Sequence, residues 1–361
     1  MTQRRRLKIR VNGGGVSAIA AATLLRARGA EVRVRVRACA RGRIVAIPIE
    51  TLALTCDLLG ISIDSLRLGQ LVEHRRVDWS NGTASVVPQV ALVCDTADLA
   101  AALATPLRDA GCLEHDETGT STDNDADWVI EASGRPHGSA PIGKRVGQFA
   151  RIATLPPARQ IMIATTSAGW FFAAPHPDGG TAVLLVSPTA ALCAVTSEDV
   201  VERLAGRGIR TSSGKVMELS KPKSIAPALA DPISSGKRVS VGDAAFALDP
   251  LRGDGIGFAL RGALLAQAVL ARIEAGSSSR AECLGYYNAR LCRAFLSHVR
   301  GCREHYGAAR NAEIWSRELA EMDMVVTGGW TAARKELAFR MRGRNLVSAA
   351  HWSGGDFAGH R

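Results

Sequence analysis

Apolar and polar positions change period in blocks along the 361-residue chain, and the blocks predict its elements. Leu7 to Asn12 reads as a short buried strand, Gly13, Gly14 and Gly15 follow at once, and Val16 to Arg28 is an Ala- and Leu-rich run with helical period. Gly29 closes that helix, and Glu31 to Arg37 alternates as a second strand. Pro48 to Leu59 predicts a helix, and Leu71 to Val93 predicts strands about a turn at Asn81-Gly82. Asp95 to Ala110 is a helical run with Thr96 and Asp98 at its start, and the polar stretch Asp116 to Asp127 reads as an exposed connection. Trp128 to Ala132 is strand-like and ends in Ser133-Gly134-Arg135. From Gln160 to Val195 the pattern is strand, turn, strand, with Ala173 to Gly180 at the turn of a hairpin. A helix and a polar strand or loop follow between Ser197 and Leu219, then a short strand from Arg238 to Val241, a glycine-rich stretch and two long helical runs, Phe258 to Glu274 and Ala281 to Ala309.

Composition narrows the class. With 47% hydrophobic residues the chain can bury a large core. The net charge of +11 comes from 38 Arg and 7 Lys, scattered without a basic tract or the interleaved aromatics that stack bases, so no nucleic-acid partner is expected. Eight cysteines form no CxxC pair; they read as small buried hydrophobes in a reducing compartment, and no metal site is expected. The basic start runs into a strand and glycines rather than an apolar signal core, and the apolar runs fall short of a membrane span, so a cytoplasmic location is expected.

The strand, glycine turn, helix, strand order at the start is the context that makes a glycine motif a dinucleotide signal. Gly13 permits the tight turn, Gly15 lets backbone approach a pyrophosphate, and Ala18 allows close packing of helix on strand. The acidic residue that would hold a ribose hydroxyl is missing, because Arg33, Val34, Arg35, Val36 and Arg37 occupy its region. Either alternating arginines coat an exposed strand face, or Arg37 or Arg43 reaches the adenosine part of a ligand. Gly134, at the end of another strand, faces the ligand crevice of such a fold or simply terminates the strand. In the hairpin, Trp170, Phe172 and His176 are candidates for a substrate pocket, against the reading of an apolar sheet face with a turn histidine. In the second glycine cluster Gly242-Asp243 places a carboxylate where it accepts hydrogen bonds from a polyol, and Pro250 stiffens the approach to Gly253, Gly255, Ile256 and Gly257 at a helix start.

The stretch from Gly242 to Arg261 resembles the second FAD fingerprint of single-component aromatic hydroxylases and the related flavin-dependent halogenases. Gly13, Gly15 and Ala18 resemble their first fingerprint, and Ser133-Gly134-Arg135 a short strand end between the two. The likeness extends in weaker form from Leu7 to about Tyr287. It is strongest toward the halogenase-like branch, through Gly169 to Gly179, and that branch includes maturation enzymes that hydroxylate a tryptophan within a partner protein during tryptophylquinone synthesis. Halogenases of the family use a lysine after the first unit and a Trp-x-Trp-x-Ile-Pro motif. Here no lysine lies between Lys8 and Lys144 and the motif is absent, so the resemblance implies hydroxylation.

It further implies an α/β, glutathione-reductase-like FAD-binding fold with an inserted antiparallel lobe and a helical C-terminal region. Residues 1–65, 94–159 and 232–280 are expected to form the FAD-binding parts, 66–93 and 160–231 the substrate lobe, and 281–361 the C-terminal region. The expected chemistry is transfer of one oxygen atom from dioxygen to an electron-rich aromatic substrate, either a small molecule or a protein-borne tryptophan. Electrons come from NAD(P)H directly or as reduced flavin from a separate reductase. His176, Glu50 and Asp249 are the polar residues considered for proton transfer. Two rivals stand beside this reading: a dehydrogenase or oxidase without oxygen insertion, and a noncatalytic maturation or interaction protein with an inherited nucleotide pocket.

Overall fold

The computed structural model describes residues 5–36, 42–63, 66, 68–80, 83–115, 125–135, 139–153, 159–194, 196–207, 216–328 and 337–349. Arg37, the Asn81-Gly82 turn, Trp330 and Trp352 lie outside the described residues.

Strand β1 (Lys8–Asn12), helix α1 (Val16–Ala27) and strand β2 (Glu31–Val36) open the chain. Val32 and Val34 are buried while Glu31 and Arg33 face solvent, and Arg33 pairs with Glu114 at 2.7 Å. Next come β3 (Ile44–Pro48), α2 (Ile49–Leu59), β4 (Gln70–Asp78) and β5 (Ser85–Asp95). Asp95 accepts the Ala97 N–H at 2.6 Å and so caps α3 (Thr96–Leu103), which leads through α4 (Thr105–Asp109) to β6 (Leu113–His115) and β7 (Trp128–Glu131).

β1 pairs in parallel with β2 and β7, β2 with β6, and β7 with a strand at Arg238–Ser240. A two-residue antiparallel edge at Ser234–Ser235 completes this six-stranded sheet. The chain leaves β1, β7 and Arg238–Ser240 at the same end of three neighbouring parallel strands. Gly13, Gly134 and Gly242 follow those three exits, so topology gathers glycine signals scattered along the sequence.

The second sheet takes β8 (Val146–Ile152), β9 (Gln160–Thr166), β10 (Gly169–Pro175), β11 (Thr181–Ser187) and β12 (Val216–Leu219). Its order is β12-β8-β11-β10-β9-β4-β5-β3, antiparallel except between β4 and β9, and a two-residue ninth strand at Lys223–Ser224 pairs with β8 off that path. Period-two burial divides β10 between two cores. Trp170 and Phe172 join the main core, while Phe171 and Ala173 pack with Val200 and Leu204 of α5 (Ser197–Ala205).

Helices α6 (Gly255–Glu274), α7 (Arg280–Gly307) and α8 (Ser316–Gly328) follow. α6 is long and apolar enough to cross a membrane by composition, in contrast to the expectation that no run would suffice. It instead packs along α1 and α7, with most of its apolar stretch buried in the protein. The C-terminal region is not wholly helical: Phe339–Arg342 and Asn345–Ser348 form a hairpin about Gly343 at φ +57°. Phe339 meets the Tyr286 ring edge-on at 5.6 Å and lies under the Arg272 guanidinium, which gives this hairpin its hydrophobic footing.

Candidate cofactor site

Backbone sterics shape the first glycine loop. Gly13 sits at φ +134°, and a Cβ there would lie 2.3 Å from the Ala132 carbonyl oxygen. Its N–H donates to the Arg35 carbonyl at 3.0 Å, tying the loop to the next strand. A Cβ on Gly15 would meet nothing within 4 Å, so that residue borders open space. α1 begins there without a side-chain cap and without an acidic residue in its first turn, leaving unpaired N–H groups and the positive dipole end available to an anion. Ala18 is fully buried, as close packing of helix on sheet requires.

The second glycine cluster reaches the same helix start. Gly242, at φ +57°, approaches so closely that a Cβ would be 2.5 Å from Ser17 Cβ and Oγ. The next residue, Asp243, keeps exposed surface while lining a narrow cleft with Phe246 and Phe258. Desolvation there pushes its carboxyl above the ordinary range, against the pull of Arg43 and Arg135. Arg135 donates to the Ser224 and Ala226 carbonyls, and its partial burial lowers its own pKa. Arg43 lies 5.8 Å from the Phe149 ring centroid. Gly242, Asp243, Phe246, Gly255, Phe258 and Tyr287 line a narrow cleft beside this carboxylate.

Pro250 starts a short 3₁₀ turn that ends at Gly253, φ +62°. Neither Gly253 nor Gly255 would press a Cβ against anything, and Gly255 opens α6 with no acid in the first turn. Gly257 is different: a Cβ would fall 2.2 Å from Asp254 Oδ1, and Asp254 pairs with Arg261. Ile256 is half-buried against the main core. Gly242, Asp243 and Gly255 line one cleft, Arg43 and Arg135 act on that carboxylate, and Gly242 rests on Ser17 in the first turn of α1, so the two uncapped helix starts are neighbours. That donor set fits a dinucleotide with a polyol chain: N–H groups for phosphate, Asp243 for hydroxyls, and a glycine-lined edge for a flat ring.

The residues considered for proton transfer and substrate contact are not brought together. Asp249 is 1% exposed, and its carboxylate accepts from the Arg145 guanidinium, from Tyr306 Oη at 3.1 Å and from the Leu251 N–H at 2.8 Å. Its own N–H donates to His298 Nε2 at 2.9 Å. This is a buried ion pair with its oxygens occupied, which corrects the expectation that Asp249 moves protons for a substrate. Trp170 is corrected likewise: it is 2% exposed and its indole N–H donates to Tyr306 Oη at 3.1 Å, making it a core residue. Phe172 is half-buried on the same face. His176 lies just past the other end of β10, six residues and roughly 20 Å along the strand from Trp170. Its Nδ1 accepts the Asp178 N–H at 3.1 Å, and burial, helped by Arg151, lowers its pKa. Glu50 is exposed in the first turn of α2.

Sequence reasoning passed over Arg145, Tyr306, His298 and Glu318, all buried and all joined to Asp249 directly or through Arg145. No local pattern marks them, because their partners lie 49 to 173 positions away.

No protein-family model and no curated protein sequence matches the chain. Its fold is shared with solved flavoenzymes. A peptidyl tryptophan dihydroxylase, QhpG, essential for tryptophylquinone cofactor biogenesis, superposes with TM-score 0.70 at 22% identity, over 96% of this chain and 86% of that one. The myxobacterial chondrochloren halogenase CndH gives 0.70 at 18% identity, over 90% of each chain. PqsL of Pseudomonas aeruginosa, a probable FAD-dependent monooxygenase, gives 0.63 at 16% identity, over 88% of this chain and all of that one. The fold is therefore the mixed α/β fold of FAD-dependent monooxygenases and halogenases, the group that the two glycine stretches resemble in sequence.

Proposed function

We propose that this protein is an FAD-dependent monooxygenase that hydroxylates an aromatic substrate. The observation that carries the reading is the convergence of Gly13–Gly15 and Gly242–Asp243 at one crevice, with Gly242 pressed on Ser17 of α1 and Asp243 between Arg43 and Arg135. In this reading the α1 start holds the pyrophosphate, Asp243 accepts from the ribityl hydroxyls, and the turn from Pro250 to Gly257 flanks the ring system. When bound and reduced, FAD supplies the activation of dioxygen; the protein places the substrate and excludes water. The six-stranded sheet is the core of a glutathione-reductase-like FAD domain assembled from noncontiguous segments, and the nine-stranded sheet is its inserted substrate lobe. Arg37 is the candidate to replace the missing acid at the adenosine end, because Arg43, the other candidate, stands near Asp243.

For the substrate, the fold shared with QhpG over 96% of this chain favours a tryptophan carried by a protein or peptide, and the charge of +11 suits an acidic partner. His176 and Glu50 remain the surface-accessible candidates for a proton acceptor, to be tested by substitution in the turnover assay.

The decisive measurement starts with FAD reconstitution, read from the visible spectrum. Turnover of a tryptophan-bearing peptide or a small aromatic in isotopically labelled dioxygen follows, with product mass as readout. Label in the product is expected. Oxidised but unlabelled product would sink oxygen insertion in favour of a dehydrogenase or oxidase, and failure to bind FAD would favour a noncatalytic protein. Turnover with NAD(P)H alone, against turnover only with an added flavin reductase, separates the two electron routes.

A further inference from the structure

Asp249 stands one residue before the turn assigned to the ring of FAD, and four contacts converge on it. One comes from the lead-in to β8 (Arg145), two from α7 (Tyr306 and His298) and one from the turn itself (the Leu251 N–H). Arg145 is in turn held by Glu318 of α8, whose Oε1 also accepts the Lys144 N–H at 2.6 Å. The lead-in is built around that carboxylate: Gly143 has φ +90°, and a Cβ on it would lie 1.9 Å from Glu318 Oε2. Its N–H donates to Glu321 at 2.8 Å. A continuous chain of buried polar contacts therefore runs from α8 through Arg145 to Asp249, with a branch from Trp170 through Tyr306.

Packing does not call for charge here. Trp315, Phe295 and Val299 are fully buried in the same core, and apolar replacement of a buried ion pair is often neutral or stabilising. What the charged set supplies is directionality, because it fixes both carboxylate oxygens and the backbone N–H of one residue. None of Arg145, His298 or Tyr306 is exposed to a substrate.

We infer that Arg145, Asp249, His298 and Tyr306 are positioning residues that lock the Pro250–Gly253 turn against the cofactor, so that the C-terminal helices set how FAD is held. This rests on the FAD reading above. It gives α7 and α8 a role in the cofactor site that the glycine motifs alone do not suggest.

The test compares FAD dissociation constants, flavin midpoint potentials and melting temperatures for the full-length protein and four variants. Tyr306→Phe keeps the ring against Trp315 and Trp79 and removes only the hydroxyl. His298→Leu removes the acceptor of the Asp249 N–H, and His298→Gln offers a substitute oxygen. Gln148→Leu is the control: it removes an equally buried amide that donates to the Ala194 and Ser220 carbonyls, on the second sheet. Tyr306→Phe and His298→Leu are expected to weaken FAD binding roughly tenfold and to move the midpoint potential. His298→Gln is expected to recover most of the affinity, and Gln148→Leu to lower the melting temperature without touching either flavin readout. Wild-type affinity and potential in Tyr306→Phe and His298→Leu, alongside normal FAD binding by the wild type, would overturn this inference alone. A wild type that does not bind FAD overturns the cofactor reading and this inference with it.

Discussion

The two glycine segments of the crevice hold their shapes by different means. Around Gly13 the constraints are backbone on backbone: the Ala132 carbonyl fills the space a Cβ would take, and the Arg35 carbonyl receives the N–H. At Gly253 a Cβ would meet nothing within 4 Å, and the turn is fixed instead through Asp249, whose partners sit on β8's lead-in and on α7. At Gly13 the loop is shaped by what cannot fit, and at Gly253 the turn is shaped by what is held. The first is therefore intolerant of any side chain at one position, whereas the second is sensitive to substitutions far from the glycines.

The sharpest way to break that contrast is to add a side chain to each segment. Gly13→Val puts a branched Cβ against a carbonyl that cannot move without displacing β7, at a φ suited only to glycine. We expect a loss of at least about 3 kcal/mol in urea unfolding together with loss of FAD binding. Gly253→Ala, at φ +62° with open space around it, is expected to cost only about 1 kcal/mol. Equal losses at the two sites would erase the distinction.

The converse substitution is Asp249→Ala, which leaves the Arg145 guanidinium buried with Glu318 as its remaining acidic partner among the described residues. Desolvation opposes the charge on Arg145, and Asp249 is the largest of the groups that offset it, ahead of Tyr306 and Glu318; a guanidinium stays protonated in proteins even so, which leaves a buried charge short of a partner. A loss of roughly 3 to 5 kcal/mol is expected from denaturant unfolding, far above that of Gly253→Ala in the same turn. A loss below about 1 kcal/mol would mean that the turn holds itself.

This division also explains what was legible in the sequence. The first segment could be read because its constraints leave a local trace: Gly13, Gly15 and Ala18 within one strand-turn-helix unit, and buried Val32 and Val34 alternating along β2. The second cluster was visible as glycines with Asp243 and Pro250, but its anchor was not. Asp249 read as a polar residue beside a loop, a fair candidate for proton transfer, until the fold brought Arg145 and Tyr306 to it. Trp170 misled for the same reason, since an aromatic strand face looks alike whether it lines a cavity or meets Tyr306. The closing hairpin of Phe339–Ser348 escaped because its four-residue strands are too short to establish a period.

Acid should separate the two segments. His298 is buried as a neutral acceptor, and desolvation lowers its pKa to about 4, with Arg252 and Arg145 also lowering it against the opposing effect of Asp249. A histidine with folded pKa below the unfolded value of about 6.5 binds fewer protons when folded, so its contribution is complete above that value and is lost as pH falls toward 4. Between pH 7 and pH 5 the loss is roughly 2 kcal/mol from this group. Hydrogen exchange should show the Asp249–Gly253 turn and α7 loosening before the β1–α1 loop, and His298→Gln should flatten the pH dependence of unfolding. Loosening of both segments together would assign acid sensitivity to the whole domain.

The smallest effect concerns Asp243, where the segments meet. Its carboxyl is held above the ordinary range by desolvation, with Arg43 and Arg135 working against that shift. As an acceptor of ribityl hydroxyls it serves FAD best when ionised, so binding favours release of its proton and affinity must rise with pH through the free protein's Asp243 pKa. We expect a several-fold tightening of FAD between mildly acidic and neutral pH, measured by titrating apoprotein at pH values where His298 stays neutral. Asp243→Asn should abolish the slope at a cost of a few-fold in affinity at neutral pH, because the amide keeps one accepting oxygen but loses the charge between two arginines. If FAD affinity were flat with pH in the wild type, or kept its slope in Asp243→Asn, the carboxylate would not be the ribityl acceptor, and the two segments would share a crevice without sharing that contact.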